Sequence, residues 1–133
     1  MHTANSPLLL SPHQHYSNQL GEFFFFDTYF IAEFREGVHV TYEDFEIVKS
    51  YIFNHYRETR FGFISNRVNS FSIELKDAVL FNKDYPNLEA YAVVAYKNFS
   101  EQLIEVENRF FKFNRRGFRS LTEALVWIKD SLS

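Results

Sequence analysis

The sequence predicts an α/β domain: a mixed, mostly parallel sheet with an N-terminal hairpin and about four helices. Three observations carry this. Two aromatic-rich runs, Glu22 to Phe26 and Tyr29 to Arg35, flank the dipeptide Asp27-Thr28 and read as a hairpin. After Gly37, strand-sized apolar runs alternate with helix-period segments, which implies parallel strands joined by helices. Ala90 to Ala95 is a continuous apolar hexapeptide, the pattern of a strand covered on both faces.

The elements follow in order. Residues 1–19 hold two of the three prolines and no periodicity, so they read as a flexible extension; a single domain spans 20–133. Glu36-Gly37 breaks the second strand. Thr41 is placed to cap a first helix, with Asp44 three residues on, Val40 able to staple against Phe45, and Phe45, Val48 and Ile52 at helical spacing. Glu43, Asp44 and Glu46 then sit where the helix dipole favours negative charge.

Phe61 to Ser65 reads as a short strand and Asn66 to Ser70 as a polar loop. A second helix is expected from about Ser72, turning Leu75, Ala78 and Val79 inward, with Pro86 ending the turn after it. Leu88 to Tyr96 is the candidate central strand. Ser100 is placed to cap a third helix, with Phe99 stapled against Ile104 and with Leu103, Val106 and Phe110 on one face. Lys112 to Phe118 holds a last short strand. Ser120-Leu-Thr-Glu123 is a capping box opening a final helix whose Leu121, Ala124, Leu125, Ile128 and Leu132 keep the helical period.

Composition bounds the chemistry. With 133 residues, 46% hydrophobic and 23% charged, the chain matches one globular domain. Aromatic residues reach 20%, with 17 Phe and 8 Tyr, which favours strands and a core rich in rigid rings. The absence of Cys excludes disulfides, thiolate metal sites and cysteine nucleophiles, and fits a reducing cytoplasm. No apolar run, neither Phe23 to Phe26 nor Ala90 to Ala95, approaches the length of a membrane span, and the N-terminus lacks the pattern of a secretion signal, so a cytoplasmic protein is expected.

No motif carries a reaction. There is no nucleophile elbow, no S-x-x-K and no glycine-rich phosphate cradle among the four glycines, so neither an enzyme nor a cofactor is expected. His13-Gln-His15 falls in the extension, and His39 and His55 stand alone, so no metal site is expected. A net charge of -3 argues against a dedicated nucleic-acid binder. Two local features point the other way. Phe61-Gly-Phe-Ile64 copies the centre of a base-stacking RNA-recognition octamer, though its flanks depart from it. Arg109, Lys112, Arg115, Arg116 and Arg119 interleave with Phe110, Phe111, Phe113 and Phe118, and would need one shared exposed face to track a phosphate backbone.

The most distinctive stretch is Phe61 to Ser72, a strand running into Ser65, Asn66, Arg67, Asn69, Ser70 and Ser72. In open α/β sheets, ligands and partners meet the carboxyl ends of strands, which makes these six residues the candidate partner- or ligand-binding site. Asn and Ser in such a position also satisfy loop backbone and cap helices.

Phe61 to Ser72, with Ile64-Ser-Asn-Arg67 and Asn69-Ser70 as its marker, followed by Ala92-Val-Val-Ala95 and closed by Leu121 to Ile128, resembles a family of small uncharacterised bacterial proteins with the SpoIIAA-like, or STAS-like, fold. The likeness runs from about Leu20 to the C-terminus. It implies a regulatory, partner-docking module of the kind switched by phosphorylation of a Ser or Thr opening a helix, and kinship with lipid-binding folds implies a small apolar ligand as the alternative. The usual phosphosite pattern, Asp then two hydroxyl residues then Gly, is absent here. Ser70 and Ser72 are candidates by topology alone, with Arg67 placed to neutralise a phosphate or a ligand carboxylate. The expectation is a non-enzymatic module that binds a protein partner, with a homodimer or a small apolar or acidic ligand as further partners and nucleic acid through 109–119 as the least favoured.

Overall fold

The computed structural model describes residues 12–96 and 101–133. In chain order the elements are β1 Gln14–Ser17, β2 Gly21–Phe25, β3 Tyr29–Phe34, β4 His39–Val40, α1 Glu46–Tyr56, β5 Phe61–Arg67, β6 Ser72–Ile73, α2 Ala78–Asp84, β7 Leu88–Ala95, α3 Glu101–Asn108, β8 Arg115–Phe118 and α4 Leu121–Leu132. Six strands form one sheet in the order β1-β2-β3-β5-β7-β8. β2 pairs antiparallel with both β1 and β3, and β3, β5, β7 and β8 run parallel. β4 and β6 make a separate two-stranded parallel ladder. The expected hairpin and mixed, mostly parallel sheet are present, and β7 is an interior strand whose Ala90 to Val94 are buried.

The two faces of the sheet are built differently. Toward α4 the strands present mostly small or branched residues, among them Ala90, Ala92, Val94 and Ile64. Gly62 lets that helix approach so closely that an added Cβ would lie 2.8 Å from Ile128 Cγ2. Toward α1 and α2 the same strands present rings. Phe25, Phe30, Phe63 and Tyr91 are register partners on β2, β3, β5 and β7, with centroids 5.0, 4.5 and 4.6 Å apart in sequence across the sheet. Period-2 alternation sends each strand's large and small residues to opposite sides, so one sequence pattern produces both layers.

Several boundaries differ from the sequence expectation. Gln14–Ser17 belongs to the sheet, although it falls in the stretch read as an extension: Tyr16 stacks on Tyr51 of α1 at 3.9 Å and His15 stacks on Phe24 at 4.4 Å. Those contacts are non-local, which is why no local period announced them. Thr41 Oγ1 accepts from Asp44 N–H at 3.1 Å but caps a turn over residues 42–45, and α1 begins at Glu46. Ser72 starts a strand, with a tight 3-10 turn at Leu75–Asp77 before α2, and Val79 faces solvent. Leu103, Val106 and Phe110, the residues that helical spacing puts on one face, are exposed, and Ile104 and Glu107 are the buried ones. The proposed cap Ser100 and staple Phe99 lie outside the described residues.

Candidate functional site

The six predicted site residues do not form an open loop. Asn66 and Arg67 continue β5, because Asn66 and Arg67 pair in register with Val94 and Ala95 of β7. Ser65 and Asn66 are fully buried. Asn66 Nδ2 donates to Glu33 Oε2 at 2.9 Å and its Oδ1 accepts from the Tyr96 hydroxyl at 2.6 Å. Asn69 Nδ2 donates to the Phe34 carbonyl at 2.9 Å, and Ser70 N–H donates to Glu36 Oε1 at 3.1 Å. Most of this polar set therefore holds the carboxyl ends of β3 and β5 together.

Ser72 is exposed, and it lies opposite His39 on the β4–β6 ladder. Its Oγ is 2.7 Å from His39 Nδ1, and His39 Nε2 is 3.1 Å from Glu74 Oε2. The order hydroxyl, imidazole, carboxylate is that of an activated nucleophile. Cross-strand register alone explains it, since Ser72 on β6 and Glu74, the residue just after that strand, lie on one face opposite His39. The neighbouring N–H groups of Ser72 and Glu74 are already bound to Val38 and Val40 carbonyls at 3.0 and 2.9 Å, so they supply no oxyanion donor.

Arg67 enters a second cluster that no sequence motif announces. Its Nη1 and Nη2 donate to Glu107 Oε2 and Oε1 at 3.1 and 2.7 Å, a two-pronged pair between β5 and α3. Arg115 of β8 donates from Nη2 to the same Oε1 at 2.8 Å and from Nη1 to Asn108 Oδ1 at 2.7 Å. Side-chain exposure is 13% for Arg67, 7% for Glu107 and 1% for Arg115. Burial alone would raise the Glu107 carboxyl, but the hydrogen bonds and charges of Arg67 and then Arg115 outweigh it and hold the group below its ordinary 4.5. Burial likewise disfavours the Arg115 cation, and Tyr91 and Glu107 more than restore it. Among the described residues no hydrogen-bond partner meets the buried Nε atom of either arginine.

Each guanidinium also lies on rings. Arg115 Cζ is 4.4 Å from the Tyr91 centroid and 5.2 Å from that of Phe111, and Arg67 Cζ is 5.4 Å from that of Phe71. Arg115 is the register partner of Tyr91, so it ends the row of rings that crosses the sheet. Beside that row, between sheet and α1 and α2, is a cavity of about 60 Å³ with an almost wholly apolar lining that includes Phe30, Phe45, Phe63, Phe81, Tyr91 and Phe111.

The basic stretch 109–119 does not make one exposed face. Arg115 is buried against Glu107, and Lys112 Nζ donates to the Arg109 carbonyl at 2.7 Å. Phe61 and Phe63, the two rings of the RNA-recognition likeness, are core residues and cannot stack on bases. Among the described residues no group of three or more His, Asp or Glu could hold a metal ion, and no helix is long and apolar enough to cross a membrane.

The chain superposes on the crystal structure of an uncharacterized protein from the DUF3478 family with a SpoIIAA-like fold, from Shewanella loihica PV-4. The TM-score is 0.54 at 15% identity, over 86% of this chain and 90% of that one. The fold is SpoIIAA-like. At that identity the likeness concerns architecture alone. No family model and no curated protein matches the chain. Within the SpoIIAA-like frame, the Arg67–Glu107–Arg115 cluster and the aromatic cavity are the two features whose chemistry exceeds what the sheet requires.

Proposed function

We propose that the chain is a non-enzymatic, cytoplasmic partner-binding module of STAS-like type, docking a protein through α3 and the adjoining end of α2. One observation carries this: α3 buries Glu107 beside Ile104 and leaves Val106, and Phe110 in the turn that follows, 38% and 42% exposed. Asn82 of α2 bonds the Phe110 carbonyl at 2.9 Å and the Lys112 N–H at 3.0 Å, one helical turn from Val79, which is 56% exposed. Contiguous apolar side chains on a soluble surface mark interaction sites. Ser70, exposed and bonded through its backbone to Glu36 and Gly37, is the modification candidate of the predicted pair, since the Ser72 hydroxyl already serves His39.

The test is photo-crosslinking in the native host from a probe at position 106, with a probe at Val126 on α4 as control. A protein captured specifically from position 106, and lost in Phe110→Asp, supports the reading. Identical capture from both positions, or none, overturns it.

A second reading rests on a different observation. The cavity beside Phe30, Phe63 and Tyr91 fits a small apolar ligand between sheet and helices.

A further inference from the structure

We infer that the aromatic cavity is a site for a neutral hydrocarbon of a few carbon atoms, entering at the amino ends of β7 and β8. The inference rests on the second reading above and adds the charge, size and route of the ligand.

The lining fixes the charge. Phe and Tyr rings supply most of it, with Val40, Ile52, Ile73 and Leu88 as the remainder, and almost none of that surface is polar. A carboxylate there would be buried without donors. Ring faces attract cations in general, but Tyr91 and Phe111 already carry Arg115, at 4.4 and 5.2 Å, and behind them two guanidinium groups share the one Glu107 carboxylate. A second cation would meet that excess of positive charge. A water would lack the roughly two to four polar partners it needs. A neutral apolar molecule meets none of these costs.

The rings also keep the space from collapsing. Phe30, Phe63 and Tyr91 stand in a row on the sheet at 4.5 and 4.6 Å. In the helix layer Phe81 braces Phe45 at 5.6 Å and Phe111 at 6.1 Å. Rigid rings held by their neighbours cannot fold into the gap between the layers.

Size selects the ligand. A water takes roughly 10–15 Å³ of such space, and an apolar cavity that admits benzene measures about 150 Å³. At about 60 Å³ this one suits a short alkane and not an aromatic ring.

The route follows from exposure. Of the lining residues, Ile73, Leu88 and Phe113 are half-buried and the others buried. Leu88 and Phe113 lie close together, because Asn114 Nδ2 donates to the Glu89 carbonyl at 3.4 Å and Tyr91 N–H donates to the Asn114 carbonyl at 2.9 Å. Both precede or open their strands, at the end of the sheet opposite Ser65, Asn66 and Arg67.

The experiment is an NMR titration of the full chain with three probes: propane, benzene and ethylammonium. Propane is expected to shift the methyl signals of Ile52, Ile73 and Leu88 saturably and to leave those of Val126 on α4 unmoved. Benzene, too large, and ethylammonium, charged, are each expected to bind at least about tenfold more weakly. Val40→Ile adds a methylene to the lining and is expected to weaken propane binding; should that variant fail to fold, the three probes on the parent chain decide alone. Benzene equal to propane overturns the size limit and leaves the apolar-ligand reading standing. Ethylammonium equal to propane overturns the neutral ligand. Shifts at Val126 that match those at Ile52, or no saturable shift from any probe, overturn both the inference and the reading beneath it.

Discussion

Arg115 lies with its Cζ 4.4 Å from the centroid of the Tyr91 ring, its register partner on the neighbouring strand. A cation at this position is held by stacking as well as by Glu107, and the two supports can be separated. Arg115→Met keeps an apolar stem against Tyr91 and leaves Arg67 and Glu107 as a neutral two-pronged pair. Glu107→Gln leaves two buried cations facing each other. The expected losses are about 1–2 kcal/mol for the first and about 3–5 kcal/mol for the second. Urea unfolding of both variants checks the order, and a larger loss for Arg115→Met would mean that stacking, not charge balance, holds the cluster.

The same carboxylate sets an acid limit. Glu107 is held below its ordinary 4.5 in the folded chain, so the unfolded chain takes up its proton first as pH falls. The stability it contributes is complete above about 4.5 and is lost as pH drops through the lower folded value. Glu22 and Asp84 are also held low and act in the same direction. Glu107→Gln is therefore expected to be less stable at pH 7 yet to show a shallower decline below pH 4.5. Parallel stability curves for parent and variant between neutral and acid pH would contradict this.

Two glycines mark two kinds of close approach. At Gly62 an added Cβ meets the Ile128 side chain at 2.8 Å, and that side chain can shift. At Gly21 the Cβ would lie 2.2 Å from the Glu33 carbonyl oxygen, which is backbone and register-bound. Gly62→Ala is expected to cost about 1–3 kcal/mol by overpacking. Gly21→Ala is expected to cost more and to loosen the β2–β3 pairing, visible as faster amide exchange at Phe23 and Phe25. A reversal of this ranking would show that the α4 layer is the less yielding of the two.

What was legible in the sequence was whatever local chemistry dictates. The Asp27-Thr28 turn, the apolar run Ala90 to Ala95 and the helix period of Leu121 to Ile128 each specify an element without reference to distant residues. α3 misled for the same reason. Leu103, Val106 and Phe110 have the spacing of a core stripe, but Arg67 and Arg115 arrive from two strands to neutralise Glu107, and their pairing rotates the helix so that the acid faces in. Asn66 reads as loop because it is polar, whereas Glu33 and Tyr96 satisfy it inside the sheet. The row Phe25, Phe30, Phe63, Tyr91 depends on register between strands far apart in the chain, which no window of sequence contains.

Of the three caps read from sequence, the two that fall within the described residues differ in what they hold. Ser120 has extended backbone and its side chain accepts from Glu123 N–H at 3.1 Å, directly opening α4. Thr41 makes the equivalent bond to Asp44 at 3.1 Å one turn ahead of α1, whose own first residue follows Phe45 with no side-chain cap. Ser120→Ala is expected to cost on the order of 1 kcal/mol, because α4 packs on β5 and β7 and its first turn has no other side-chain acceptor for Glu123 N–H. Thr41→Ala is expected to expose the turn over residues 42–45 while amides from Lys49 onward keep their protection, since Lys49 N–H bonds the Phe45 carbonyl at 2.9 Å within the helix proper. Amide exchange resolves the two. Loss of protection along all of α1 in Thr41→Ala would mean that the turn and the helix form as one unit.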